Sequence, residues 1–307
     1  MPDSTAGGAV TPGCATSKRP GVWLTEASLV LMAVIWAVNF SVVKYGTSLV
    51  DPLAYNGIRV GLAATVLMVI VALSGTPLPP RKDLLALLGL GVLGNGFYQC
   101  LFVIGVSKTS ASDAALVIAA TPAFVAIVGK LRGSERTTAK RAAGIALSIL
   151  GMGFVVLGAT TGAEGAASLM GDLIMLAASL CWAFYTVLLK PYTARIPGMQ
   201  LSAITMVGGA VPLVAYCLPA MLHTDWTTYP RLGWAAVAYS GLGSLVIAYA
   251  FWYRGIRVIG PTRTAMYSNL QPVVAVLVAW QMLGEVPTLM QGLGAGSIMA
   301  GLLLSRT

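Results

Sequence analysis

Ten stretches of about 20 apolar residues decide what this chain can fold into, because a helix of that length crosses the hydrocarbon core of a bilayer. Inside lipid, a backbone satisfies its hydrogen bonds only in helices or closed barrels. Barrel strands would show segments of alternating polarity, whereas these stretches are continuous. The sequence therefore predicts an all-α integral membrane protein with ten transmembrane helices, near residues 23–43, 53–73, 84–106, 112–131, 138–158, 170–190, 199–221, 232–254, 262–283 and 288–305.

Composition agrees with a membrane protein. Apolar residues make up 57% of the 307 residues and charged residues 9%, and the mean hydropathy is +0.82. The net charge of +9 would suggest a nucleic-acid partner in a soluble chain. Here topology accounts for it, because an N-terminus in the cytoplasm leaves fifteen Lys and Arg on the cytoplasmic side and three outside. We predict cytoplasmic termini and no nucleic-acid partner.

The polar N-terminal residues, the histidine and the cysteines show no pattern of a signal peptide, a metal site or a disulfide framework. The tail at 1–22 lacks the apolar run of a signal peptide, so we expect it to stay in the cytoplasm. The single histidine, His223, lies beside Asp225 in a predicted outer loop. Neither paired nor metal-like spacing relates the four cysteines, so we predict no disulfide framework, no metal site and no cofactor; the cysteines are Cys14, Cys100, Cys181 and Cys217.

The chain repeats itself. GVSKTSASDAALVIAATP at 105–122 lies over GIRVIGPTRTAMYSNLQP at 255–272 with a shift of 150, and WAVNFSVVK at 36–44 lies over WAFYTVLLK at 182–190 with a shift of 146. Because each copy holds five helices, the second copy enters the bilayer from the opposite side, and such inverted repeats are typical of secondary transporters. We predict a tail at 1–22, repeats at 23–158 and 170–305, and an external linker at 159–169.

The order and duplication of these motifs resemble a known family. The chain is similar to ten-helix members of the drug/metabolite transporter superfamily, of the EamA type found largely in bacterial plasma membranes. The resemblance covers about residues 25–305 and is strongest to bacterial amino-acid exporters, including exporters of aromatic amino acids. It implies a multi-pass protein of the bacterial inner membrane that exports amino acids or related small metabolites. The motifs that carry it are WAVNFSVVK, Arg59, Pro122, Pro272, Glu135 and Glu285.

Pro122 and Pro272 coincide in the two repeats, each near the middle of a predicted helix. Proline removes a backbone donor and displaces the carbonyl four residues earlier, here those of Ile118 and Ser268, which therefore need other partners. Such a break is tolerated in the membrane only where the backbone is buried or faces a water-filled cavity. A static kink is the alternative, but the symmetrical pair favours two gating hinges in helices that line a central path.

Polar and aromatic side chains at helical spacing are the candidate substrate-binding residues. Amides are costly in lipid and should point inward. For the aromatic residues the alternative is an interfacial belt or ordinary packing, and for the amides it is hydrogen bonding between helices. The candidates are Trp36 and Asn39 in helix 1, Asn95, Tyr98 and Gln99 in helix 3, Trp182 and Tyr185 in helix 6, Tyr249 and Trp252 in helix 8, and Tyr267, Asn269 and Gln271 in helix 9.

A lining of amides and rings with little fixed charge suits a zwitterion, because an ammonium can sit over a ring face and amides or a helix N-terminus can meet a carboxylate. This favours amino acids without choosing one. Arg59 could pair with a substrate carboxylate, but we favour a structural role in which its long side chain snorkels to the outer surface. Lys44 and Lys190 should anchor their helices at the interfaces, and Glu135 and Glu285 should pair locally in short connections.

No carboxylate lies in the central part of a predicted helix, so a proton relay lacks its titrating group. In the small multidrug relatives that the resemblance brings in, proton coupling depends on a carboxylate in the first helix, and Glu26 is the only candidate here. No phosphate-binding loop for ATP is present. We therefore expect alternating access driven by the substrate gradient, without proton coupling.

Three other functions stay open. The first is a proton-coupled multidrug or organic-cation exporter. A membrane-embedded enzyme would need an assembled catalytic set, and a receptor would not need two inverted copies. We predict a transporter that is not an enzyme, with a small-molecule substrate and lipid as partners, as a monomer or homodimer. Small residues at 89–96, 144–153 and 292–301 predict close helix packing inside the bundle.

Overall fold

The fold is all-helical, as the apolar stretches predict. The computed structural model describes residues 22–132, 139–159, 165–259, 264 and 267–304, and within these ranges it contains ten helices and no strand. In chain order they are α1 (Val22–Leu49), α2 (Pro52–Leu73), α3 (Arg81–Lys108), α4 (Ala111–Leu131), α5 (Ala139–Ala159), α6 (Gly165–Thr193), α7 (Gly198–His223), α8 (Arg231–Ile259), α9 (Ser268–Leu283) and α10 (Leu289–Leu304).

The helices have the length and polarity of membrane spans. Among the described residues, seven are long and apolar enough to cross a bilayer. The remaining three hold the shorter apolar stretches Ala142–Gly158 in α5 and Ser268–Leu283 in α9, and the 16 residues of α10. The chain is therefore a multi-pass membrane protein.

The first helix continues beyond its predicted end at residue 43. Lys44 lies beside the end of another helix: its Nζ donates hydrogen bonds to the carbonyls of Ser107, at 3.1 Å, and Thr109, at 2.6 Å. These carbonyls belong to the C-terminal end of α3, where a cation is favourable because the last carbonyls lack helical partners. The partly buried Lys44 of α1 thus caps α3, a contact that the sequence did not predict.

Glycines bring α5 and α10 into contact. A Cβ atom on Gly151 would lie 2.7 Å from the carbonyl oxygen of Gly294, and one on Gly294 would lie 2.8 Å from the oxygen of Gly151. Gly301 meets Gly144 in the same way. Residue numbers fall along α10 as they rise along α5, so these repeat-equivalent helices run antiparallel, as inverted repeats require. The predicted close packing of small residues is confirmed here.

Wide π-helical turns interrupt α3 and α8 at Val92–Phe97 and Tyr239–Ile247. A shift of 150 residues superposes the first segment on the last six residues of the second. Glycine in these turns allows close contacts, since Gly94 lies against the ring of Tyr185 and Gly241 against the backbone of Arg59. Such turns are rare and occur often at functional sites, and the apolar pattern of the sequence did not predict them.

Both predicted proline breaks are present, and each displaced carbonyl has found another partner. In α4 the helix breaks at Ala120, and the hydroxyl of Thr121 donates to the carbonyl of Ile118 at 2.6 Å. In α9 a short 3₁₀ turn lets the N–H of Gln271 donate to the carbonyl of Ser268. Pro122 is exposed, whereas Pro272 is buried.

The carboxylate of Glu285 joins the two repeats instead of pairing locally, which corrects the prediction. Its oxygens accept hydrogen bonds from the N–H of Ala111 at 2.8 Å and from the N–H and hydroxyl of Ser112 at 3.0 and 2.9 Å. We call this arrangement the Glu285 cap. It lies at the end of the bundle where α3 ends and α4 begins. Glu135, residues 1–21 and residues 160–164 lie outside the described part of the chain.

Candidate functional site

Aromatic side chains from both repeats meet where the repeats join. The ring centroid of Trp182 in α6 lies 4.8 Å from that of Tyr98 in α3 and 5.1 Å from that of Tyr185. The ring of Tyr249 in α8 is parallel to Trp182 within 1°, at 6.3 Å. Three helices thus bring together four of the predicted residues.

Helix α1 completes this group. Trp36 contacts Tyr249 edge to face at 5.9 Å and Trp252 at 5.7 Å. Its indole N–H donates to the carbonyl of Ser244, within the π-helical turn of α8, at 3.1 Å. We define the aromatic cluster by the six residues Trp36, Tyr98, Trp182, Tyr185, Tyr249 and Trp252.

The residues predicted on α9 are less closely associated with the aromatic cluster. Tyr267 packs against the group of buried residues around Leu29 and Ala248 against which Trp36 and Trp252 also pack. Asn269 and Gln271 are partly buried, and no side-chain hydrogen bond among the described residues connects either of them to the cluster. Part of the same stretch, residues 260–263 with 265 and 266, lies outside the described ranges.

The predicted amides Asn39 and Asn95 are buried, with 4% and 2% of their surface exposed. In each, the Oδ1 atom has no hydrogen-bond partner among the described residues. Asn95 packs against Gly209 of α7, where any larger side chain would collide with it. A buried acceptor without a donor costs about 1–3 kcal/mol. Each oxygen therefore keeps its full capacity to accept a hydrogen bond.

A fully buried arginine lies beside the cluster. Arg59 of α2 is 0% exposed, which rules out the predicted snorkelling to the surface. Its Nε donates to Asn56 Oδ1 at 3.0 Å, Nη1 to Ser240 Oγ at 2.9 Å and Nη2 to Gln99 Oε1 at 2.6 Å. Gln99, predicted as a substrate contact, is thus a partner of the arginine.

Rings connect this arginine to the aromatic cluster. The guanidinium lies 5.7 Å from the ring centroid of Phe102, whose ring lies 5.9 Å from that of Tyr98. The expectation of a lining with little fixed charge therefore needs one correction, because a cation lies at its edge.

Asn56, Ser240 and Phe102 belong to the site but were not among the predicted residues. Two of them had a signal in helical spacing, because residues three or four apart share a face. Asn56 comes three residues before Arg59, and Phe102 four after Tyr98. Ser240 had no such signal, because its contact with α2 depends on how the repeats pack.

Known proteins resemble this chain over most of its length. It is 28% identical over 268 residues to the uncharacterized transporter YyaM of Bacillus subtilis, covering 86% of this chain and 88% of that protein. It is 30% identical over 288 residues to a probable amino-acid metabolite efflux pump of Salmonella typhimurium, covering 90% and 92%.

The fold also has a counterpart among solved structures. A protein described only as "Crystal structure of protein" superposes with a TM-score of 0.61 at 18% identity. The match covers 91% of this chain and 96% of that one. At this identity the likeness speaks for the fold alone.

One family model matches the chain twice, over residues 23–157 and 169–307. These are the two halves whose helices meet in the aromatic cluster and whose last helices pack antiparallel. The matched proteins are transporters and not enzymes, so a small-molecule substrate and a lipid environment apply here too. With both halves matched, the chain belongs to the EamA-like transporter family.

Proposed function

We propose that this protein exports amino acids or related small metabolites by alternating access between its two repeats. The observation that carries the proposal is the aromatic cluster, in which α1 and α3 of the first repeat meet α6 and α8 of the second. A site shared by two inverted repeats changes shape when one repeat moves against the other, and transporter sites lie at such interfaces.

The chemistry of the cluster suits an amino acid with an apolar or aromatic side chain. Ring faces of Trp182 and Tyr249 can stack on that side chain, and an ammonium can sit over a ring. The free amide oxygens of Asn39 and Asn95 can accept hydrogen bonds from the ammonium. The name of the Salmonella typhimurium relative, a probable amino-acid metabolite efflux pump, supports the same substrate class.

We propose that the substrate gradient drives export, without proton coupling. The six residues of the cluster include no carboxylate. In the described part of the chain, Asp113 lies near the start of α4 and Glu285 follows α9. Asp172 is buried two turns into α6, where it accepts a hydrogen bond from the Thr109 hydroxyl at the end of α3. A proton relay through the substrate site would need a titrating group there.

The proposed orientation has both termini in the cytoplasm of a bacterium, with the chain in the inner membrane. We propose repeats at 23–158 and 170–305. With this orientation the linker between them, at 159–169, lies outside the cell. Intact cells treated with a membrane-impermeant thiol reagent test this. A cysteine-free background carrying Thr228→Cys, between α7 and α8, should react, whereas Ala194→Cys, between α6 and α7, should react only after lysis. The reverse pattern would invert the orientation.

Counterflow into liposomes tests the function. Purified protein should exchange labelled threonine, methionine, phenylalanine or tryptophan down a gradient with equal internal and external pH. Uptake equal to that of empty liposomes across this panel would end the amino-acid proposal. Uptake that appears only with a pH difference would instead favour the proton-coupled alternative. An organic-cation exporter would exchange labelled amines and no amino acid.

A further inference from the structure

We infer that Arg59 binds the carboxylate of the substrate, which restricts this transporter to substrates that carry a carboxylate beside an apolar or aromatic group. The inference rests on the proposed function of the aromatic cluster and adds a substrate class to it. A substrate would place its carboxylate at the guanidinium and its side chain among the rings.

The charge of Arg59 has no counter-ion among the described residues. The atoms that accept its three hydrogen bonds belong to Asn56, Ser240 and Gln99, which are all neutral. The side chain is fully buried, and a charge removed from water without an opposite charge costs several kcal/mol. Ionisable residues inside a membrane usually serve function for this reason.

Stability alone does not explain why this position is charged. Tyr55, one helical turn before Arg59, already joins α2 to α8, because its hydroxyl donates to the carbonyl of Ala236 at 3.0 Å. Asn56 joins α2 to α3, because its Nδ2 donates to the carbonyl of Gln99 at 3.1 Å. Neutral groups therefore already join α2 to α3 and α8, the helices that Arg59 contacts. The positive charge of Arg59 is not needed for these contacts and can serve to bind a ligand.

The geometry around Arg59 suits a carboxylate. A guanidinium presents parallel N–H groups that match the two oxygens of a carboxylate. Nη1 and Nη2 both donate to side chains, those of Ser240 and Gln99, that can change rotamer when a stronger acceptor arrives. The ring of Phe102, 5.7 Å from the guanidinium, leads directly to Tyr98 and the rest of the cluster.

The same charge discriminates against cations. An amine without a carboxylate would bring a second positive charge to a buried cation, and like charges repel strongly where water is excluded. The inference thus opposes the organic-cation alternative. It also predicts that the carboxylate contributes more to recognition than the ammonium.

Three ligands that share a benzyl or phenethyl group test this: phenylalanine, 3-phenylpropionate, which lacks the ammonium, and 2-phenylethylamine, which lacks the carboxylate. Each is added to purified protein in detergent, and the rise in melting temperature is measured. Phenylalanine and 3-phenylpropionate should stabilise the wild-type protein, and 2-phenylethylamine should not. Equal stabilisation by the amine would overturn the inference and leave the transporter proposal standing.

Two substitutions test whether Arg59 is the residue that binds the carboxylate. Arg59→Gln should weaken the apparent affinity for 3-phenylpropionate by at least about tenfold, because a charge-assisted hydrogen bond is lost. Arg59→Lys should retain part of the preference for the carboxylate. The control is Arg195→Gln, which removes an exposed arginine paired with Asp83 at 3.4 Å and should leave all affinities unchanged.

The outcomes separate the two proposals. Arg59→Gln protein that keeps the preference for the carboxylate would overturn the role of Arg59. If that variant does not fold, the comparison of the three ligands on wild-type protein still decides the substrate class. A reduced preference for the carboxylate in Arg59→Lys then identifies Arg59 as the residue that binds it, and an unchanged preference contradicts this role. Wild-type protein that responds to none of the three ligands and exchanges no amino acid of the panel would instead contradict the proposed function.

Discussion

The carboxylate of Glu285 accepts a hydrogen bond of 2.8 Å from the backbone N–H of Ala111, 174 residues earlier in the chain. The N–H groups at the start of a helix carry partial positive charge and lack helical partners. An anion from the second repeat therefore caps a helix of the first. Under the alternating access that we propose, this end of the bundle opens in one state, and the Glu285 cap would then break in each cycle.

Glu285→Gln should loosen the start of α4. The amide replaces a carboxylate oxygen by a donor that faces other donors, and the loss of a cap costs about 0.5–2 kcal/mol. Hydrogen–deuterium exchange should be faster at the amides of Ala111 and Ser112. Asp51→Asn is the matched control, because Asp51 caps α2 within one repeat through Leu53. It should speed exchange at α2 only, and unchanged exchange at Ala111 in Glu285→Gln would contradict the assigned cap.

Trp182→Phe should reduce the affinity for substrates with aromatic side chains. The smaller ring keeps an apolar contact but loses overlap with Tyr98 and Tyr249, and an aromatic pair is worth about 0.5–1.5 kcal/mol. In counterflow, the KM for phenylalanine should rise by about three- to tenfold. Trp280→Phe, on a side chain that is 52% exposed, should change nothing. Equal effects of the two substitutions would favour packing over binding.

Gly151→Ala and Gly153→Ala should change stability in opposite directions. The new methyl group at Gly151 would collide with the backbone of Gly294 in α10, and crowding of this kind costs about 1–3 kcal/mol. At Gly153 nothing lies within 4 Å of the added atom, so alanine should stabilise the helix by up to about 1 kcal/mol. Thermal unfolding in detergent measures both. A stable Gly151→Ala protein would mean that α5 and α10 separate readily.

Pro122→Ala distinguishes a hinge from a static kink. Pro122 is exposed, so its removal costs little packing, and alanine restores a helical donor for the carbonyl of Ile118. We expect unchanged or higher stability and a several-fold slower exchange of substrate if α4 bends during transport. Pro219→Ala, at an exposed proline inside α7, is the control and should leave the rate unchanged. An unchanged rate of exchange in Pro122→Ala would show that the break at Pro122 is a static kink and not a hinge.

Local patterns in the sequence predicted the helices, the duplication and all six residues of the aromatic cluster. Helix length depends only on neighbours in the chain, and so does the three-residue spacing of pairs such as Trp182 with Tyr185 and Tyr249 with Trp252. Both can therefore be read without a structure. The face that such spacing defines remained correct when the helices packed.

Long-range contacts could not be predicted in the same way. The length of the Arg59 side chain allows either snorkelling or burial, and only the positions of α3 and α8 decide between them. Glu285 lies in a short connection where local pairing is the default, and its true partners at Ala111 and Ser112 belong to the other repeat. Asn269 and Gln271 were predicted together with Tyr267 because the three residues are close in sequence. Both amides lie in the first turn of α9, at the edge of the site.

The wide turns in α3 and α8 set the azimuth of the helical segment beyond them. Each residue of an α-helix advances its side chain by about 100°, so one additional residue in a turn rotates every later side chain of that helix. Tyr98 comes directly after Val92–Phe97, and Tyr249 comes two residues after the end of Tyr239–Ile247. A one-residue deletion in either segment would turn that tyrosine away from Trp182, whereas a substitution would alter a single side chain. Chain length there thus carries information that residue identity does not.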